Sequence, residues 1–290
     1  MISAKKSNLL FWMFLSPILI AFTIVVILPF VMGLIYSFTN WSAVPDRPIN
    51  FIGFENFKLV FQDNSFGNSF YVTTIYTLLS VIIINVTGFL LAIIVTQKFK
   101  GNNFLRALFF MPNLIGGLIL GFMWKFVFLK IFPAISIFFG LAPFNWLANP
   151  HMALFAMVVV STWQMSGYIM IIYIAAIQSI PDSLIEASCI DGAHFGQRLR
   201  HIVFPLVAQA FTISLFLTLS NSFKMFDINL ALTSGGPNRS TELLTFNIYT
   251  TAFSKLQFGF GQAKAILFFF VITIITIIQV TVTKKREVEM

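Results

Sequence analysis

The sequence predicts an all-α, polytopic membrane protein with six transmembrane helices. Only 10% of its 290 residues are charged and 58% are apolar, and the mean hydropathy is +0.89, whereas a soluble domain carries about 25% charged residues. A bilayer core about 30 Å thick requires about 20 mostly apolar residues per helix, and six runs reach that length. Because they show no alternation of polar and apolar residues, helices are expected rather than a β-barrel. The six runs are approximately Leu9–Ser37, Tyr71–Thr96, Leu105–Leu129, Met152–Gln178, Leu206–Phe226 and Ala263–Val282.

The same composition excludes several other classes. Disordered chains and coiled coils need polar or strictly periodic sequence. The 18 basic residues give a net charge of +8, but they form short clusters between apolar runs, which is typical of loops beside a membrane rather than of a nucleic-acid interface. The single cysteine, Cys189, cannot form an internal disulfide, and the three histidines lack metal-ligand spacing. We therefore expect no metal site, no redox chemistry and no nucleic-acid partner.

The first apolar run follows Lys5 and Lys6, as the apolar part of a secretory signal would. It is longer than the about 7–15 residues of such a region and lacks an Ala-x-Ala exit, so an uncleaved span is expected. Residues 39–70 are polar and predict an external loop, with turn-forming residues at 45–48. This loop contains no recognisable site. These features predict a first segment, 1–70, of one helix and a loop, a core of five helices over 71–283, and a tail over 284–290.

Orientation follows from the positions of Lys and Arg. With six spans, both ends lie on one side, and that side carries 10 of the 18 basic residues in short segments close to the spans. Because basic loops favour the cytoplasm, both termini are expected to be cytoplasmic.

Two local features concern the third and fifth spans. Gly117 and Gly121 form a small-xxx-small pair, which favours close helix packing. Lys224 lies near the outer end of the fifth span and is expected to extend toward the membrane surface, with Asp227 as its ion-pair partner.

The connection between the fourth and fifth spans, residues 179–205, is polar and amphipathic. It predicts a short helix that starts after Pro181, a turn at Gly192, and a second short helix that ends at Pro205. Such a connection is either a solvated linker or a helix pair that inserts into a groove on a soluble partner.

Residues of this connection match a family motif. Glu186, Ala187, Gly192, Ile202 and Pro205 fall at the spacing of the EAA loop of ABC importer membrane subunits, with Ser and Phe at two positions where the motif has Ala and Leu. Residues 190–193 give the I-D-G-A form of the sugar branch, and residues 232–237, L-T-S-G-G-P, resemble a segment of maltose-type permeases. Over essentially its whole length, the chain resembles a sugar ABC transporter permease.

The resemblance implies the type I ABC importer permease fold, with 179–205 as the coupling loop. The residues that it assigns to ATPase coupling are Glu186, Ala187, Ser188, Asp191, Gly192, Ala193, Ile202 and Pro205. The chain contains no Gly-Lys-Ser or Gly-Lys-Thr, so it lacks the phosphate loop that holds ATP. The resemblance therefore implies no catalytic residue and no cofactor in this chain, with ATP and Mg²⁺ on two separate cytoplasmic ATPase subunits. Its other implied partners are a second homologous permease, an extracellular or periplasmic solute-binding protein, the sugar and the surrounding lipid.

Sugar contacts are expected on the fourth and fifth spans. Carbohydrate sites combine an aromatic face with amides and hydroxyls, and the resemblance places the site on these two spans. The candidate residues are Ser161, Trp163, Gln164, Thr218, Asn221, Ser222 and Met225. The alternative for each polar residue is a bond between helices, which is common in membrane bundles.

Three other functions fit the sequence less well. A secondary transporter usually needs acidic residues within its spans, and none of the ten lies in the middle of one. An enzyme would need a nucleophile with a base or paired carboxylates at one depth, and no such set occurs. A permease for a glycerol-phosphate-type solute is the nearest alternative, but its phosphate would want Arg or Lys in the cavity, and the fourth and fifth spans lack one at mid-depth. The sequence therefore predicts a cell-membrane permease for ATP-driven carbohydrate import, most simply of an oligosaccharide, by alternating access.

Overall fold

The computed structural model describes residues 4–43, 48–97 and 100–285. The predicted turn residues Pro45, Asp46 and Arg47, and residues 286–290 of the predicted tail, lie outside these ranges. Within them, a bridge between Thr39 and Phe51 is the one β contact, and the regular structure is helical.

Fourteen α-helices follow one another along the described ranges. In chain order they are α1 (Ala4–Phe22), α2 (Leu28–Ser37), α3 (Glu55–Gln62), α4 (Asn64–Thr96), α5 (Asn102–Phe110), α6 (Gly117–Phe126), α7 (Phe132–Phe138), α8 (Pro150–Gln178), α9 (Asp182–Ile190), α10 (Phe195–Arg198), α11 (Phe204–Leu206), α12 (Ala208–Phe223), α13 (Leu244–Tyr249) and α14 (Phe258–Lys284). A 3₁₀ turn spans Met111–Leu114, and π-helical turns span Thr23–Ile27, Val127–Ile131, Leu199–Val203, Asn229–Thr233 and Thr250–Ser254.

Five helical stretches are long and apolar enough to cross a membrane. They are Phe11–Ser37, Asn64–Thr96, Gly117–Phe138, Pro150–Gln178 and Phe258–Lys284. A sixth candidate is the pair Phe195–Leu206 and Ala208–Phe223, which is bent by 70°. With the bent pair counted as one span, the predicted all-α class with six spans is confirmed.

The predicted bounds of the third span, Leu105–Leu129, are wrong. Helix α5 ends at Phe110, the 3₁₀ turn with Pro112 follows, and Ile115 is extended (φ −82°, ψ 127°). Pro112 has no backbone N–H, and its ring opposes continuation of the preceding helix. The membrane-length helix therefore starts at Gly117 and runs on to Phe138.

Two other predicted boundaries differ from those in the structure. The fifth span does not run straight from Leu206 to Phe226, because the chain bends at Val207 and α12 ends at Phe223. The predicted external loop 39–70 contains a helix, α3, and α4 already begins at Asn64.

Helix α8 begins where Asn149 caps it, since the side-chain oxygen of Asn149 accepts from the N–H groups of His151 and Met152.

The chain divides into two compact units. In the described ranges, unit one comprises 4–43, 48–64 and 248–269. Its polar centre is the fully buried Lys264, whose ammonium lies 2.7 Å from Asp63 and donates to Thr251 at 2.9 Å. Asn56 donates to the carbonyl groups of Ser37 and Thr39, both at 2.8 Å, and so ties α3 to the end of α2.

Unit two comprises 65–97, 100–247 and 270–285. It contains two apolar clusters, one around Tyr76, Leu120 and Met157, the other around Ile169 and Tyr173. Helices approach closely where one carries glycine. A Cβ on Gly167 of α8 would lie 1.9 Å from the carbonyl oxygen of Phe109, at the end of α5.

The two glycines of the predicted small-xxx-small pair in the third span also lie where other residues approach closely. A Cβ on Gly117 would lie 2.7 Å from the Cβ of Asp227, and a Cβ on Gly121 would lie 2.6 Å from the Cβ of Ala231. The prediction that this pair serves close packing is confirmed.

Replacing Gly167 with Ala is expected to destabilise unit two. The new Cβ meets backbone atoms, which cannot move aside as a flexible side chain could, and overpacking costs about 1–3 kcal/mol. The measurement is the thermal midpoint of the purified protein in detergent. Gly67→Ala is the matched control, because nothing lies within 4 Å of its added Cβ. Equal midpoints for the two variants would contradict the packing described for Gly167.

Candidate solute cavity and coupling segment

Unit two contains a cavity of about 460 Å³ between the start of α6, the middle of α8 and the end of α12. Its wall contains amide, charged, aromatic and thioether side chains. The lining residues are Asn113, Gly117, Gln164, Met165, Tyr168, Leu217, Asn221, Lys224, Met225, Phe226, Asp227 and Ile228.

Helical spacing brings the two main walls together. Gln164 and Tyr168 lie four residues apart on α8, and Leu217 and Asn221 lie four apart on α12, so each pair shares a helix face. The side-chain nitrogen of Gln164 donates to the carbonyl of Ile115 at 3.0 Å, and that of Asn221 donates to the carbonyl of Leu217 at 2.9 Å. These bonds orient both amides and leave their oxygen atoms as acceptors.

The cavity carries one cation and one anion. Lys224 and Asp227 both line it, and the prediction that they pair is wrong, since the ion pairs of the described residues are Arg239 with Glu242 and Lys264 with Asp63. Helix α12 ends at Phe223, between Asn221 and Lys224, and Asp227 packs on Gly117 instead. The fourth and fifth spans have no Arg or Lys in the middle of their sequence, but Lys224 lines the cavity from the end of α12.

Three of the seven predicted sugar contacts line this cavity: Gln164, Asn221 and Met225. The other four lie elsewhere, and bonds or packing within the bundle explain their positions.

The hydroxyls among these four are buried. Ser161 is bonded to the Tyr76 hydroxyl at 2.5 Å, and Thr218, which is fully buried, accepts from Asn85 at 2.9 Å. Ser222 is 2% exposed. The alternative of bonding between helices therefore describes Ser161 and Thr218.

Trp163 is 40% exposed and is not among the residues that line the cavity. Its ring packs edge-on against Trp124, with 5.6 Å between ring centroids. Its neighbour in sequence, Gln164, lies on the cavity because one residue along a helix turns the side chain by about 100°.

The lining also contains Asn113, Tyr168, Lys224 and Asp227, which are not among the seven predicted contacts. Tyr168 follows Gln164 by four residues and Lys224 follows Asn221 by three, so helical spacing from the two amides that line the cavity predicts both. Asn113 lies in the break at Pro112, which the search for continuous apolar runs passed over.

The L-T-S-G-G-P segment continues into a loop that is held by buried polar groups. Glu242 is 4% exposed, and its carboxylate accepts from Arg239, from Asn247 at 2.6 Å and from Ser69 at 3.4 Å. Burial alone would raise the pKa of Glu242, but the hydrogen bonds and the charge of Arg239 hold it below its ordinary value.

Asn229 fixes the other end of this loop. Its side chain donates to the carbonyl of Thr241 at 2.7 Å and accepts from the N–H of Leu243 at 3.1 Å. Because Asn229 follows Ile228 directly, the loop supports one wall of the cavity.

The predicted coupling connection folds as two short helices with a tight turn between them. Helix α9 ends at Ile190, α10 begins at Phe195, and Gly192 has φ +79°. No atom lies within 4 Å of a Cβ built on Gly192. Backbone conformation, rather than lack of space, is therefore the constraint at this position.

The coupling candidates are divided between surface and interior. Glu186, Ala187, Asp191 and Gly192 are exposed, Ser188 is buried, and Ala193, Ile202 and Pro205 are half-buried. The N–H of Ala193 donates to the carbonyl of Ser188 at 2.9 Å and closes the turn.

Apolar side chains accompany the exposed candidates. Ile190 at the end of α9 is 86% exposed, and Phe195 at the start of α10 is 55% exposed. Large apolar side chains that flank a polar turn mark a surface suited to a protein partner.

Comparison with known proteins agrees with this architecture. Over 97% of the chain, the fold superposes with a TM-score of 0.85 on 96% of a chain from a bacterial ABC transporter involved in the import of the acidic polysaccharide alginate, at 22% sequence identity. The Probable starch degradation products transport system permease protein of Thermoanaerobacterium thermosulfurigenes is 49% identical over 98% of this chain and 97% of its own length. The Multiple sugar-binding transport system permease protein of Streptococcus mutans is 32% identical over 96% of both chains.

The family model that matches residues 84–288 describes a binding-protein-dependent transport system inner membrane component. It covers the cavity and the coupling connection, and it describes a transport component rather than an enzyme. The alternative of a secondary transporter is thereby excluded. The chain belongs to the family of inner membrane components of binding-protein-dependent transport systems.

Proposed function

We propose that this chain is a permease subunit for ATP-driven import of an oligosaccharide, which an external solute-binding protein delivers. The observation that carries the proposal is the chemistry of the cavity, where two oriented amides, a tyrosine and apolar side chains face one space. Sugars need both donors and acceptors for their hydroxyl groups and apolar surface for their rings. The printed names of the two relatives, which refer to starch degradation products and to sugars, support this class of solute.

Lys224 supports a second candidate, a glycerol-phosphate-type solute, because its ammonium lines the cavity. Asp227 on the same wall would repel a phosphate, so the cavity as a whole favours a neutral solute. Competition of sn-glycerol 3-phosphate with sugar uptake distinguishes the two candidates, and the neutral class predicts no competition.

Within this proposal, Gln164, Asn221 and Met225 contact the sugar, together with Tyr168. Ser161 and Thr218 act by bonding between the helices that carry these contacts, Ser222 is buried in the bundle, and Trp163 packs against Trp124.

Replacing Asn221 with Ala is expected to raise the half-saturating sugar concentration about 2- to 10-fold. The variant loses a hydrogen bond to the solute, which contributes about 0.5–1.5 kcal/mol, and about 1.4 kcal/mol corresponds to a factor of ten. The measurement is uptake of labelled sugar by membrane vesicles. Gln209→Ala is the control, since Gln209 is an exposed amide on α12 outside the cavity lining. An unchanged half-saturating concentration in the Asn221 variant would argue against sugar binding here.

We further propose that the connection 179–205 is the contact for the ATPase. Its exposed Glu186, Ala187, Asp191 and Gly192, with Ile190 and Phe195 beside them, form the docking surface, while Ser188, Ala193, Ile202 and Pro205 hold its shape. The proposal includes a second homologous permease and two ATPase subunits that bind ATP and Mg²⁺, with no cofactor in this chain. It also places the chain as a multi-pass protein in the cell membrane, with both termini and this connection on the cytoplasmic side.

Replacing Gly192 with Val is expected to detach the ATPase while the protein remains in the membrane. A β-branched residue at φ +79° is strained by about 1–3 kcal/mol, so the turn between α9 and α10 opens. Co-purification of the ATPase with the tagged chain is the measurement. Gly192→Asn should retain more of the complex, because Asn tolerates this conformation.

Gly140 provides the matched control. It has φ +71° and open space around its Cβ, as Gly192 does, but it lies outside the connection. Loss of the ATPase in Gly140→Val as well, or its retention in Gly192→Val, would contradict the assignment of the coupling turn.

A further inference from the structure

Unit one contains a second cavity, of about 490 Å³, in the segment where the sequence showed no recognisable site. Residues that follow α2, the exposed side of α3 and the start of α14 form its wall. We propose that this cavity is a second carbohydrate site, which binds one sugar residue of the oligosaccharide.

Amide side chains dominate the polar wall. Asn40, Asn56, Gln62 and Gln257 line the cavity together with the hydroxyl of Ser42. An amide carries two donors and an acceptor. The nitrogen of Asn56 already donates to Ser37 and Thr39, and the oxygen of Asn40 already accepts from the N–H of Asn50 at 2.7 Å. Asn56 therefore offers its oxygen, Asn40 its nitrogen, and Gln62 and Gln257 both groups to the hydroxyls of a ring, each of which donates and accepts. The Ser42 hydroxyl is itself buried and takes no hydrogen bond from the described part of the chain.

Two aromatic rings supply the apolar part of the wall. Trp41 lines the cavity, and its ring is held by Tyr36 and Phe258, with ring centroids 4.5 and 4.8 Å away. Phe260 lines it as well, and the ammonium of Lys264 lies 4.6 Å from its ring centroid. Rings fixed by such contacts offer C–H groups of a sugar an apolar surface at little ordering cost.

The charges of the wall favour a neutral polyol over a cation. Of the two lining carboxylates, Asp63 is neutralised by Lys264 at 2.7 Å, which leaves the exposed Glu55. A metal cation would want several anionic oxygens, and an ammonium group could not use the amide donors. A single carboxylate among amides and rings instead suits hydrogen bonds from sugar hydroxyls.

The residues that line the cavity indicate a sugar as its ligand. The use of an α-glucan as the probe rests on the proposed function. The experiment measures binding of labelled maltotriose, a short fragment of starch, to the complete transporter in lipid nanodiscs by equilibrium dialysis without the binding protein. The unmodified protein is expected to bind two sugars per copy of this chain, one in each cavity.

The test variant combines Glu55→Gln with Gln257→Leu. Both side chains are exposed, and the described part of the chain accepts or donates no side-chain hydrogen bond at either. Glu55 lies in the first turn of α3, so an unchanged thermal midpoint is the check that the variant folds. The variant is expected to lose one of the two sugars, or to bind it at least about 10-fold more weakly. Gln209→Ala is the control and should keep both sugars.

Three outcomes would overturn the proposal. Two sugars bound by the test variant with unchanged affinity would do so, as would a single sugar in the unmodified protein that Asn221→Ala weakens. A separate co-purification with the solute-binding protein covers the third outcome: unchanged sugar binding by the test variant with loss of that protein would show that the cavity docks the protein instead. Failure of the proposed function is distinguishable, because ATP-driven uptake would then be absent while binding that depends on Glu55 and Gln257 persisted.

Discussion

The hydrogen bonds of Asn85 join three membrane helices of unit two, and the position of the solute cavity depends on them. The side-chain oxygen of Asn85 accepts from the Tyr173 hydroxyl on α8 at 2.8 Å, and its nitrogen donates to Thr218 on α12 at 2.9 Å. In a bilayer no water replaces such partners, so these bonds fix how α8 and α12 are rotated about their axes. Asn221 lies three residues beyond Thr218, and the rotation fixed by Asn85 therefore turns Asn221 toward the cavity.

The cavity and the coupling connection are continuous along the chain. Helix α10, its π-helical extension and α11 lead to the 70° bend at Val207, and α12 follows directly. Because α12 carries Leu217 and Asn221, a displacement of the connection has a short covalent path to one wall of the cavity. Val207 is fully buried at the bend, so the two arms meet at a packed point rather than in a flexible linker.

Composition and run length were enough to predict the class and the number of spans, because the bilayer imposes a minimum length on each apolar helix. They could not predict that Pro112 stops α5, since an average over apolar residues ignores a missing N–H. Nor could they distinguish Gln164 from Trp163 or Asn221 from Thr218. That distinction depends on the rotation of each helix, which contacts distant in sequence, such as Asn85 with Thr218, decide.

The charged groups show a second limit of sequence reasoning. Lys264 lies near the start of the last apolar helix, where the sequence alone does not indicate that it is fully buried against Asp63. The spacing of Lys224 and Asp227 suggested an ion pair, but the end of α12 and the packing of Asp227 on Gly117 separate them. In each case a partner far along the chain determines the environment of the charge.

The most direct test of this account is uptake of labelled maltotriose by proteoliposomes that contain this chain with the proposed partner permease, ATPase and solute-binding protein. The account predicts uptake that requires ATP inside the vesicles and binding protein outside them, and that stops when either is left out. Uptake that continues without ATP, or ATP hydrolysis stimulated by the binding protein with no sugar movement, would contradict it.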